Sequence, residues 1–252
     1  MRVTTTALTL LIAVFAGGAE APPLRAQQGD PVVHMSKEPR HKVVFEQGTT
    51  RVQDVQIPPG DTTLFHVHDN AVLYVPISSS RTRSQVLGQE WSGGSASGAG
   101  NTPARGAATP GGPARITSTI TYVEKPVTHR VNNFGDGLFR LIAIGNLSRG
   151  ADVETDDISG LSTKPEMLNK YYRAHRVSLA PGASTPPHKH AWPVVVVQQT
   201  AGQLTIDGST KATTGEPGTF AFHDGSGTHQ VRNTGSGTTD VIEVELRGAA
   251  PK

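Results

Sequence analysis

The chain contains no cysteine. That excludes a disulfide framework, a thiolate metal site, a cysteine nucleophile and a lipid anchor on cysteine, because each needs sulfur. It also lacks an excess of either charge. Lys and Arg number 23 against 21 Asp and Glu, so the electrostatic footprint of a nucleic-acid-binding protein is missing. Aromatic residues make up only 5% of the 252 positions, and long apolar runs are scarce. The glycine clusters lack the following helix and lysine of a phosphate-binding loop, and no Ser-His-Asp signature is recognisable. What is abundant is glycine, at 28, and proline, at 18, which points to turn-rich β structure rather than helix bundles.

Residues 1–26 have the layout of a secretory signal peptide. Arg2 starts it, Ala7 to Ala16 is apolar and uncharged, and Leu24-Arg25-Ala26 precedes Gln27. Cleavage is expected after Ala26, with Ala21 as the second choice. The apolar run falls short of the roughly 20 residues that span a bilayer. The expected mature protein is therefore periplasmic or secreted, with no membrane contact after cleavage.

The remainder is duplicated. Residues 57–68 and 179–190 both carry Pro-Gly, five residues, then His-x-His: Gly60, His66 and His68 in one copy, Gly182, His188 and His190 in the other. A second block, T-H-x-V-x-N-x-G-x-G, occurs at 128–137 and again at 228–237. Two blocks in the same order, twice, indicate two domains of one kind. From His68 to His129 is 61 residues, against 39 from His190 to His229. The excess falls on residues 92–114, where 21 of 23 are Gly, Ser, Ala, Thr or Pro, a composition that suits a surface insertion.

Short β-prone runs such as Arg51 to Ile57, Ala71 to Ile77, Leu138 to Ile144, Val194 to Val197 and Val241 to Leu246 are set off by turn residues. The expected organisation is an N-terminal domain over 38–149, a polar connection over 150–169 and a C-terminal domain over 170–249. Pro165 to Tyr171 reads as one helical turn. Each domain should be a small antiparallel barrel.

Six of the ten histidines lie in the repeated blocks: His66, His68 and His129, then His188, His190 and His229. Side chains two apart on a strand share a face, so each His-x-His pair can aim at one ion, with the third His arriving from another strand. Neutral imidazole suits Fe, Mn, Ni, Cu or Zn, so the donors alone do not choose the metal.

This pattern resembles the cupin superfamily, whose motifs are G-x5-H-x-H-x(3,4)-E-x6-G and G-x5-P-x-G-x2-H-x3-N. Gly60, His66 and His68, and Gly182, His188 and His190, match the first motif. His129 with Asn133, and His229 with Asn233, match the second, with Gly218 at its leading glycine. The resemblance implies an all-β bicupin of two tandem double-stranded β-helix, or jelly-roll, barrels. Pairing through sheet edges into a homodimer is a further analogy.

The departures matter for chemistry. Where the first motif places glutamate, the chain has Val72 and Leu73, and Val194 and Val195. Each copy should then be a three-histidine centre without an acidic ligand, leaving the full charge of a divalent ion for anionic, chelating molecules. Similar three-histidine cupins are ring-cleaving, diketone-cleaving and thiol dioxygenases. The resemblance therefore implies a dioxygenase-type, divalent-metal-dependent enzyme, with Fe(II) the favoured ion, acting on a small anionic or enolisable molecule. The alternatives are a non-catalytic ligand- or metal-binding cupin and a metal-dependent lyase or isomerase, since fold does not fix reaction. Glu124 and Asp224 stand at equivalent positions and are candidate bases, beside a plainer reading as turn carboxylates. Tyr74 and Tyr122 are candidate proton donors. Asn133 and Asn233 should fix turns, and His34, His41 and His175 are read as surface or packing residues.

Overall fold

Val, Ile, Thr and Phe fill the chain's apolar runs, and these runs form strands. The computed structural model describes residues 29–93, 114–152, 161, 164–209 and 215–248. The expected signal peptide and most of the 92–114 insertion lie outside the described residues. No described helix is long and apolar enough to cross a membrane.

The first half contains β1 (Val32–His34), β2 (His41–Gln47), β3 (Thr50–Ile57), β4 (Phe65–His68) and β5 (Ala71–Ser78). It continues with β6 (Thr82–Val86), β7 (Trp91–Ser92), β8 (Thr117–Thr119), β9 (Val127–Asn133) and β10 (Phe139–Asn146). These form two five-stranded sheets, β1-β4-β9-β6-β7 and β2-β3-β10-β5-β8. The second half contains β11 (Met167–Leu168), β12 (Tyr172–Leu179), β13 (His188–Lys189), β14 (Val194–Gln198) and β15 (Leu204–Ile206). It ends with β16 (Phe220–His223), β17 (Thr228–His229), β18 (Val231–Asn233) and β19 (Thr239–Leu246). Its main sheet is β11-β12-β19-β14-β16, faced by the pairs β13-β17 and β15-β18. Pairing is antiparallel except between β1 and β4. The helical turn expected at 165–171 does not form: Met167 and Leu168 pair with Ala174 and Arg173 as a strand.

The long strands read as unbroken apolar runs because both of their faces are buried. On β10, Leu141 and Ala143 join Val55, Ile57, Val72 and Tyr74 inside the first barrel. The alternate residues Ile142 and Ile144, with Leu73 and Val75, pack against Val195, Val197, Phe222, Ile242 and Val244 of the second half. Each such side chain contributes about 1.5–3 kcal/mol by leaving water, so the two barrels share one core along their facing sheets. A polar clasp lies within it. The Tyr172 hydroxyl sits 2.7 Å from the Ala71 carbonyl and 2.8 Å from that of Ile144, and accepts the Asn146 N–H at 3.0 Å.

The two repeated blocks meet in space, which explains why they recur together. Pro59-Gly60 and Pro181-Gly182 make tight turns with glycine at φ 78° and 75°, a backbone that other residues rarely adopt. Gly60 N–H donates to the Asn133 carbonyl, and Gly182 N–H to that of Asn233. The Asn133 amide donates to Ile57 O and Gly137 O, and that of Asn233 to Leu179 O and Gly237 O. Each Asn thus ties the turn before His-x-His to the turn after the third His.

Candidate metal centres

In both barrels the third histidine lies directly across from the first of the pair, His66 opposite His129 and His188 opposite His229. Alternation along β4 turns both of its imidazoles inward, and His66 and His68 are buried. The ring centroids of His66, His68 and His129 are 4.7–4.9 Å apart. Those of His188, His190 and His229 are 4.2–5.0 Å apart. Each barrel therefore gathers its trio.

In the second barrel a fourth group joins. Glu243 Oε2 lies 3.0 Å from His188 Nε2 and 3.6 Å from the Nε2 atoms of His190 and His229. His229 Nε2 is 2.8 Å from His188 Nε2 and 3.0 Å from His190 Nε2. Ligands about 2.1 Å from one ion sit about 3.0 Å apart at a right angle and about 3.4 Å apart at the tetrahedral angle. The donors already have that spacing. His188 Nδ1 donates to Pro186 O at 2.9 Å, which sets its tautomer and leaves the Nε2 lone pair facing inward. One cation at their centre would meet all three nitrogens and the carboxylate oxygen at once. Glu243 Oε1 is also buried and has no hydrogen-bond partner among the described residues, a cost that a cation alongside would relieve. The residues present fit a divalent metal.

Charge in this cluster is tuned by its own members. Burial alone would raise the Glu243 carboxyl, but in the metal-free cluster the His188 and His190 rings within hydrogen-bond reach, with the charge of His188 and His229, hold it at about 2. Burial pushes His229 down to about 4, keeping it a neutral ligand. Glu245, two positions on and therefore on the same face, accepts the Ala191 N–H at 2.8 Å. It lies 3.6 Å from His190 Nδ1 and 3.5 Å from the Arg173 guanidinium.

Among the described residues the first barrel has no such carboxylate in its cluster. At the positions of Glu243 and Glu245 its repeat carries Ala143 and Gly145. His66 Nδ1 donates to Leu64 O at 2.8 Å, so its Nε2 faces inward as in the other copy. His129 Nδ1 is 3.1 Å from the Ser84 hydroxyl. His41, from β2, brings its ligand nitrogen within 4.8 Å of those of His66 and His68, a group that does not include His129, whose ring stands beside theirs.

The expectation of two centres with no acidic ligand is corrected by Glu243, and the reading of His41 as a surface or packing residue is corrected by its place in the first cluster. A signal for Glu243 was present, since Glu243 and Glu245 alternate within the apolar run Val241 to Leu246 and must share one face. For His41 the repeat offered none. His175 is buried, in register with Glu243 across β12 and β19, and His34 contacts Asp69 and Ser36 at the edge. Tyr122 packs its ring 4.8 Å from that of His68, and Tyr74 is buried in the first-barrel core. Glu124 closes a 3-10 turn at the surface. Asp224 is exposed and accepts both the N–H and the hydroxyl of Ser226. Neither carboxylate belongs to a cluster.

No sequence-family model matches the chain, and no curated protein does. Solved structures do. AerE from Microcystis aeruginosa superposes with a TM-score of 0.55 at 13% identity, covering 83% of this chain and 98% of AerE. Bacterial pirin YhhW from Escherichia coli, solved with nickel(II), gives 0.50 at 12% identity over 83% of this chain and 91% of that one. A cupin 2 conserved barrel domain protein from Leptotrichia buccalis gives 0.46 at 9% identity, over 82% and 88%. The chain shares the all-β fold of AerE and of the pirin. At these identities the likeness is one of fold alone, and the chemistry of this chain has to come from its own residues.

Proposed function

We propose that this chain is an exported, divalent-metal-dependent oxidoreductase of the dioxygenase type, acting on a small anionic or enolisable molecule. The observation that carries the metal dependence is the convergence of His188, His190, His229 and Glu243 at the spacing of ligands around one ion. His66, His68 and His129, at matching ring spacing, support a second centre in the first barrel.

The first barrel is the better place for reaction. Its ligands are neutral, and His129 is partly exposed, whereas the second barrel's ligand side chains are 0–1% exposed. An ion held by imidazoles alone keeps its full charge and supplies a Lewis-acidic, redox-capable position for a deprotonated substrate. Leu64 O and Ser84 orient the His66 and His129 rings, and the Tyr122 ring lies against that of His68. The closure of the second barrel favours a second reading for that half: a bound ion that does no chemistry.

The test is metal content per chain, with His129→Ala and His229→Ala alongside, followed by oxygen uptake. Protein loaded with Fe(II), Mn(II), Ni(II), Cu(II) or Zn(II) is offered diketones, gentisate, salicylate, catechols and thiols. Oxygen consumed in step with substrate supports the dioxygenase. Turnover without oxygen would mean a lyase or isomerase, and tight binding without turnover would leave a binding protein. Full metal content in both variants would defeat the proposal.

A further inference from the structure

We infer that His41 is a fourth ligand of the first-barrel centre, held in place by Glu38 as its positioning residue. This rests on the reading that the first barrel binds an ion, and adds a residue that neither cupin motif contains. The carboxylate of Glu38 is buried and tied down by three donors: Arg40 N–H at 2.6 Å, Leu64 N–H at 3.2 Å and His41 Nδ1 at 2.7 Å. Both carboxylate oxygens already accept backbone N–H groups, so Oε2 faces His41 as an acceptor, the imidazole proton sits on Nδ1 and the Nε2 lone pair points the other way. That way lie His66 and His68, whose ligand nitrogens and that of His41 fall within 4.8 Å of one another. The His41 ring is 4.4 Å from His66 and 6.2 Å from His68, centroid to centroid.

The backbone of His41 is pinned as well. Its N–H donates to Glu38 O, and its carbonyl accepts from the Gln53 amide at 3.0 Å. A carboxylate behind an imidazole that faces other metal-binding imidazoles is the arrangement that fixes tautomer and raises ligand basicity. Packing alone would not require a buried, hydrogen-bonded carboxylate behind the ring. In the first barrel His41 from β2 thus converges on the His66 and His68 pair, where the second barrel brings Glu243 from β19 to its trio.

The experiment uses cobalt(II) as probe on the mature chain carrying His188→Ala and His229→Ala, so that only the first barrel binds. His41→Asn keeps a side-chain N–H for Glu38 and removes Nε2, and Glu38→Gln keeps shape and removes the acceptor charge. The expected result is a loss of cobalt affinity of about 100-fold for His41→Asn with a changed visible absorption band, and about 10-fold for Glu38→Gln. Thermal unfolding without metal checks that each variant folds, and if His41→Asn does not, Glu38→Gln decides. Affinity within twofold of the parent and an unchanged band would overturn the fourth ligand while His66→Ala still abolishes binding. If the parent takes up no cobalt, or His66→Ala binds as well as the parent, the first-barrel centre falls and His41 with it.

Discussion

The two barrels share a histidine trio but surround it differently. The second receives Glu243 from β19, with Glu245 and Arg173 behind it. The first has Ala143 and Gly145 at those positions and brings His41 from β2 with Glu38 behind it. A duplicated scaffold can therefore keep the imidazole geometry while changing the charge set against the metal. The anionic set would partly neutralise a divalent ion in a closed interior, whereas the neutral set would leave that charge for an incoming anion.

The comparison breaks most directly at the trios themselves. Two equivalents of metal are expected per chain, and His129→Ala or His229→Ala should each lose one equivalent, measured by elemental analysis. Loss of both from one substitution would mean that the centres are not independent. The shared core should show the opposite behaviour. Phe222→Ala, at the seam between the barrels, should cost about 3–5 kcal/mol and lower the unfolding of both halves in a single calorimetric transition. Two separated transitions would show that the halves fold alone. Glu243→Gln keeps the shape of the fourth ligand and removes its charge. Second-barrel affinity should fall about 10- to 100-fold with first-barrel affinity unchanged, read by titration with zinc(II). Tyr172→Phe removes the clasp hydroxyl and leaves Asn146 N–H without that acceptor, a loss of about 1–2 kcal/mol by urea unfolding. The smallest effect is expected at Asp224→Asn. Its turn is exposed, so metal content should not move and stability should shift by less than about 0.5 kcal/mol.

Much of this was legible in the residues. The recurring Pro-Gly, His-x-His and Thr-His blocks disclosed the duplication, and the period of two put His66 with His68, and His188 with His190, on common faces. Asn133 and Asn233 were read as turn residues, and they tie the turns on either side of each trio. The helical turn at 165–171 was misread because Met167 and Leu168 carry little strand propensity. They become a strand only because β12 offers an edge. Glu124 and Asp224 drew notice for standing at equivalent positions in the two copies, yet equivalence along the chain does not turn a side chain inward.

Spacing along the chain therefore determined the fold type, the repeat and the two histidine trios, because a strand's alternation is a local property of its backbone. The fourth partner of each trio was decided only by tertiary structure. Glu243 and His41 meet their trios by lateral pairing and by packing across a barrel, between segments tens of residues apart. Which distant strand delivers a ligand depends on how the sheets close, and no local period in the chain encodes that.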